Sequence, residues 1–221
     1  MLFALHTLKK QYSNKEIYIW NVNRDSMGIF VRLFLRKIDI QGFVTDCYKY
    51  VNEMCMNRTV YCLSQITSKN SVILVADDVP QDVVNMISNV KTVYWSDALE
   101  VNEELLAEKN IVYGIGQGAE RLCEEFGKKG IVTELFCVTK LNYDRGFKER
   151  RVIEVSKLGN YGKYNVIISA INTRYIAEML NELSSFSGRV FVELENLLDK
   201  AEFMMNFAQN IDLAMKYHKE I

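Results

Sequence analysis

The sequence predicts an α/β protein made of two tandem Rossmann-like units with mostly parallel, doubly wound sheets, followed by a C-terminal helix. Three observations predict this. Short apolar runs alternate with amphipathic helical stretches, the rhythm of βαβ units. Two of the runs, "VILVA" (72–76) and "VIISA" (166–170), are almost wholly apolar, as strands buried on both faces of a parallel sheet are. The chain also lies over itself: "IYIWNVNRDS" (17–26) over "IVYGIGQGAE" (111–120), "IDIQGFVTD" (38–46) over "IVTELFCVT" (131–139), "VYCLSQI" (60–66) over "VIEVSKL" (152–158), and "SVILVA" (71–76) over "NVIISA" (165–170). A chain of 221 residues holds two units of about 100 residues each, and the seam predicts units 1–101 and 102–221.

Taken in order, "MLFALHTL" reads as a short helix with Leu2, Leu5 and Leu8 inward, leading into the first strand, "IYIW". The helix "SMGIFVRLFLRK" follows, with Ile29, Leu33 and Leu35 among its apolar residues. "GFVTD" is the second strand, "VYCLSQI" a short third and "VILVA" the fourth. The helix "DVVNMISN" and the strand "KTVYWS" close the unit. "SDALEVNEELLAEKN" (96–110) reads as a helical connector. In the second unit the helix "GAERLCEEFGKKG" places Leu122, Cys123 and Phe126 inward, with Gly127 or Gly130 ending it. "RYIAEMLNEL" and "GRVFVEL" repeat the closing helix and strand. The stretch from Leu198 to Ile221 reads as one amphipathic helix with Phe203, Met204, Phe207, Ile211 and Met215 on a stripe. That stripe either caps a core in this chain or meets a second copy or a partner enzyme.

The chemistry concentrates in "NIVYGIGQGAERL". Gly114, Gly116 and Ala119 fit G-x-G-x-x-[GA] between a strand and a helix, with Ile115, Gln117 and an extra Gly118 between them. The first glycine permits a tight exit from the strand. The second lets a ligand's phosphates approach the backbone, and the small third residue lets helix and strand pack closely. Free N–H groups and the positive end of the helix dipole then face an anion. The other reading is a glycine-rich turn with a purely structural task. In the first copy Asn21, Asn23 and Ser26 occupy the small-residue positions, which predicts the fold without the phosphate site. A dinucleotide site calls for an acid after the second strand. Asp46 stands there in the first copy, but the second reads "FCVTK", with Thr139 and Lys140. Lys140 suits a phosphate better than a ribose diol, so NADP fits better than NAD.

Composition excludes other classes. Lys and Arg total 27 against 28 Asp and Glu, a net charge of -1, which argues against a general nucleic-acid binder. The densest basic stretch, "YDRGFKERR", reads as a solvated loop or, less simply, a phosphate clamp. Five cysteines without C-x-x-C spacing read as reduced thiols of a cytoplasmic protein, and no apolar run is long enough for a membrane span. The histidines, His6 and His218, lie near the ends of the sequence, which disfavours a zinc site.

"YGIGQGAERL", the "GFV"-like second strand and "VIEVSKLGNYGKYNVIISA" together resemble the Rossmann-like N-terminal domain of bacterial sugar O- and N-acyltransferases of the sialic-acid type. The resemblance covers most of residues 109–198 and, more faintly, 16–100. It implies a nucleotide-sugar site at the glycine turn, with Gly114, Gly116, Gln117 and Gly118 facing the ligand and Ser169 and Ala170 lining the opposite wall. The β-helix that performs acyl transfer in that family, with its hexapeptide repeats, is absent from the sequence, so the resemblance implies binding rather than acyl transfer.

Catalytic signatures do not emerge. No tyrosine has Lys four residues on, and neither G-x-S-x-G nor a P-loop is present. Asp77, Asp78 and Asp82 could hold Mg²⁺ or, more simply, cap the following helix. The sequence thus points to a nucleotide-sugar-binding accessory or regulatory protein of bacterial cell-surface polysaccharide biosynthesis. The alternatives are an NAD(P)-dependent oxidoreductase acting on a sugar nucleotide and a non-binding interaction module.

Overall fold

The computed structural model describes residues 2–106, 109–141 and 146–197. These fall into two compact units, one spanning Thr7–Glu100, the other joining the residues up to His6 with those from Val101 onward. The C-terminal stretch 198–221, with the apolar stripe and His218, lies outside the described residues, as does Arg145 of the basic stretch.

Strands β1 (Leu2–Phe3) and β2 (His6–Leu8) open the chain where the leucine spacing predicts a helix. Pairing overrides the spacing: β1 runs parallel to a strand far along the chain, Leu2 beside Val190 and Phe3 beside Phe191. A helical turn α1 (Lys10–Ser13) leads to β3 (Glu16–Trp20), α2 (Arg24–Leu35), β4 (Gly42–Thr45), β5 (Met54–Cys55) and β6 (Arg58–Cys62). Then come β7 (Ser71–Val75), α3 (Gln81–Met86), β8 (Lys91–Tyr94), α4 (Trp95–Ala98) and β9 (Leu99–Val101). The unit's sheet has the order β5-β6-β4-β3-β7-β8 and is parallel except for β5 against β6. Ile17, Ile19, Val72 and Leu74 face α2 with Met27, Ile29 and Leu33, while Ile73 and Val75 face Ile87 beyond α3. Alternate residues of one strand therefore enter opposite cores, and the strands read as continuous apolar runs.

Residues 96–110 are not one helix. After α4 the chain enters β9, which pairs with β2, and then a 3-10 turn at Glu103–Leu105. Asn102 holds that path, its backbone N–H donating to Leu5 O at 2.8 Å and its amide to Ala4 O at 3.1 Å. Asp77 does not cap the helix after its own strand; it accepts from Ser96 N, in the first turn of α4, at 2.9 Å.

The other unit contains β10 (Asn110–Tyr113), α5 (Gln117–Lys129), β11 (Thr133–Val138), β12 (Val152–Glu154), β13 (Asn165–Ile168), α6 (Thr173–Glu182) and β14 (Arg189–Phe191). Its sheet, β1-β14-β13-β10-β11-β12, is parallel throughout. Val112, Phe136 and Ile167 pack toward α5 with Leu122 and Phe126; Ile111, Tyr113 and Val166 pack toward α6 with Ile176. Gly130, in the left-handed region at φ 71°, ends α5. Leaving aside the edge strands β5 and β1, both sheets share one order: β6-β4-β3-β7-β8 in one and β12-β11-β10-β13-β14 in the other.

A polar ladder fixes the start of this sheet. Asn110, Asn165 and Arg189 are register partners across three strands. Asn165 donates to Asn110 Oδ1 at 3.0 Å and accepts from Arg189 Nε at 3.1 Å. The Asn110 amide reaches the Leu105 and Val132 carbonyls. Both asparagines are fully buried, so a one-residue slip would strand their polar groups.

Candidate functional site

The glycine turn links β10 to α5, and each glycine meets a different constraint. Gly114 has φ 117°, which L side chains rarely adopt, and a Cβ there would stand 2.5 Å from Ser169 Oγ. Gly118 lies so close to the chain after β13 that a Cβ would fall 1.9 Å from Ser169 O. Gly116 has an extended backbone, and a Cβ there would meet nothing within 4 Å. The close helix–strand approach expected at Ala119 is therefore made at Gly118, while Ala119 is fully buried in the α5 core. Ile115 packs half-buried against that core.

Among the described residues, no side chain caps α5: Gly116 is the N-cap, and its own carbonyl accepts from Ala119 and Glu120. That leaves the amides of the first helical residues, Gln117 and Gly118, without a helical acceptor. The matching turn in the other unit is closed by its own side chains. Asn21, at φ 65°, accepts from Val22 N at 2.8 Å. Asn23 accepts from Ser26 N at 2.9 Å, and Ser26 Oγ accepts from Asn23 N at 2.8 Å, a reciprocal capping box. One turn carries side-chain acceptors for its own helix start, and the other has only the Gly116 backbone carbonyl.

Below the open turn lies a crevice of about 250 Å³ on the α5 side of the sheet. It sits where the chain from β10 turns toward β11 and the chain from β13 turns the opposite way, toward β14. In open α/β sheets this reversal point, at the carboxyl ends of the strands, is where ligands enter. Gly118, Arg121, Leu122 and Glu125, one face of α5, form one wall. Ser169 and Ala170 after β13 and Glu193 after β14 form another, and His6 closes the crevice. Ser169 holds its place by donating Oγ–H to Tyr113 O at 2.9 Å.

His6 is clamped between two carboxylates. Nε2 donates to Glu125 Oε1 at 2.7 Å and Nδ1 to Glu193 Oε1 at 2.5 Å. The bond to Glu125, then that to Glu193, pushes the imidazole pKa up to about 9 against the opposing effect of burial. Glu125 is held below the ordinary carboxylate range, chiefly by the same bond. The crevice thus carries a protonated imidazole and a guanidinium against two carboxylates at neutral pH.

Of the residues singled out in the sequence, Gly118 and Ser169 line the crevice, and Gly114, Gly116 and Gln117 form the turn above it. Thr139 and Lys140 are exposed after β11 and do not line it; Thr139 Oγ1 shares a 2.7 Å hydrogen bond with the Tyr113 hydroxyl. His6, Arg121, Glu125 and Glu193 escaped sequence reasoning. Two of them, His6 and Glu193, come from segments distant from α5, and the one available signal was the i, i+3, i+7 spacing of Gly118, Arg121 and Glu125. No described group of three or more His, Cys, Asp or Glu residues is placed to hold a metal ion. The chain matches no protein-family model and no curated protein.

Proposed function

We propose that the chain is a duplicated Rossmann-like protein that binds a nucleotide-containing ligand, a nucleotide sugar, at the turn Gly114–Gly118. The observation that carries this reading is the contrast between the two turns. Asn21, Asn23 and Ser26 satisfy their own helix start, whereas α5 begins at an uncapped glycine facing open space beside a crevice. Backbone amides and the helix dipole at such a start favour a phosphate. The common strand order supports the duplication, and five unpaired cysteines support a cytoplasmic setting. The resemblance to sugar-acyltransferase N-terminal domains suggests an accessory or regulatory role in bacterial cell-surface polysaccharide synthesis.

The test is a thermal-shift panel of UDP-sugars, CMP-sugars, NAD, NADP and acyl-CoA, repeated on Gly116→Asp. A ligand bound only by the folded chain raises Tm, by about 2.7 kcal/mol of stabilisation at a hundred times its Kd. A nucleotide sugar should shift the parent protein and leave Gly116→Asp unmoved. A silent panel, or a shift that survives the substitution, would remove the turn as the site. A shift with NADP alone would favour the oxidoreductase reading.

A further inference from the structure

We propose that the crevice beneath the turn receives an uncharged, hydroxyl-rich group, the neutral sugar of a nucleotide sugar, with Glu125 as its principal hydrogen-bond acceptor. The inference rests on the nucleotide-sugar reading for the phosphate end and extends it to the glycosyl end.

Four features carry it. The cavity, about 250 Å³, opens along α5 from Gly118, in the first turn, to Glu125, two turns further on. A ligand whose phosphate meets the turn therefore has room for a further group below it. The charges that line it balance: His6 and Arg121 against Glu125 and Glu193. An anionic or cationic group entering there would face a like charge as well as an opposite one, whereas a neutral polyol is repelled by neither. The walls are also mixed. Leu5, Leu122 and Val192 offer apolar surface to the C–H face of a sugar ring, while Glu125, Asn196 and Arg121 offer polar atoms to its edge. Finally, Glu125 engages His6 through Oε1 only, leaving Oε2 to accept from a hydroxyl. The clamp fixes both carboxylates before a ligand arrives, so little ordering is required on binding. His6 is in this sense a positioning residue.

Calorimetry with UDP, UDP-glucose and UDP-glucuronate on the full chain, and on Glu125→Gln and Asn196→Ala, tests the proposal. UDP-glucose should bind the parent at least about tenfold more tightly than UDP, and UDP-glucuronate should gain less. Glu125→Gln should bring the ratio of UDP-glucose to UDP affinity down toward one, and Asn196→Ala should reduce that ratio. UDP and UDP-glucose binding equally well would overturn the inference while leaving the phosphate site standing. UDP-glucuronate binding as tightly as UDP-glucose, or a glucose advantage that survives Glu125→Gln, would also overturn it. If no nucleotide binds, the phosphate site falls, and free glucose and N-acetylglucosamine decide the crevice alone. Selective NMR shifts of the Leu122, Ile168 and Val192 methyls, lost in Glu125→Gln, would sustain it; silent methyls would end it.

Discussion

At the scale of single residues, three glycines with one appearance in the sequence have three tasks, and substitutions separate them. Gly118→Ala would drive a methyl into Ser169 O and cost about 1–3 kcal/mol, and Gly114→Ala adds the positive φ to a clash with Ser169 Oγ. Gly116→Ala has free space and an ordinary extended backbone, so chemical denaturation should place it within about 0.5 kcal/mol of the parent. Gly116→Asp supplies the missing N-cap and should raise the Tm of the ligand-free protein while abolishing its nucleotide shift. A fall in Tm would show that the helix start is already satisfied. The sequence pattern located the turn but assigned the close approach to Ala119, because spacing alone does not say which residue abuts the chain after β13. The thiols separate too. Burial raises Cys55 to about 12 and raises Cys137 further, whereas a hydrogen bond from Ser64, 2.9 Å away, lowers Cys62. Of these three buried cysteines, Cys62 should react first with a maleimide, read by peptide mass mapping.

At the scale of elements, local pattern and long-range pairing part company. The helices α2, α5 and α6 follow their 3.6-residue apolar rhythm and were legible. Residues 2–8 follow a similar leucine rhythm and are nonetheless strands, because β1 finds β14 and β2 finds β9. Neither partner is adjacent in sequence, so no window shorter than the chain could show it. The same segment brings His6 between Glu125 and Glu193, and this gives the unit a pH signature. His6 has a folded pKa near 9, above its ordinary 6.5. Its contribution is complete below about 6.5 and is lost as pH rises through 9. Glu125, depressed by His6, contributes above the ordinary carboxylate range and loses that contribution as pH falls through its folded value. Arg121 on the same wall and Lys129 near Glu125 carry the remaining charges close by. The clamp is worth on the order of 2 kcal/mol, discounted because the Glu125 side chain is more than a third exposed. Tm should therefore decline between pH 7 and 10, and His6→Gln should flatten most of that decline. An equal decline in both proteins would place the titration elsewhere.

At the scale of the whole molecule, the α/β class and its largely parallel sheets were legible because buried parallel strands leave continuous apolar runs. The ownership of the first residues was not, because a two-residue strand leaves no pattern. The two units divide at Glu100/Val101, yet the strand Leu2–Phe3 completes the sheet of the unit that follows the division. Removing residues 1–6 tests the energetic meaning of that division. The deletion takes away the Phe3–Phe191 stack, with ring centroids 5.1 Å apart, the buried Leu5 and the His6 clamp, all within one unit. The combined loss is about 4 kcal/mol, enough to lower that unit's melting temperature by more than about 8 °C. Both tryptophans, Trp20 and Trp95, lie in the other unit, so their fluorescence follows its melting while circular dichroism follows both. Units that unfold separately would show a dichroism transition moving down and a tryptophan transition holding still. Movement of both together would mean that the two sheets, whatever their shared order, unfold as one cooperative body.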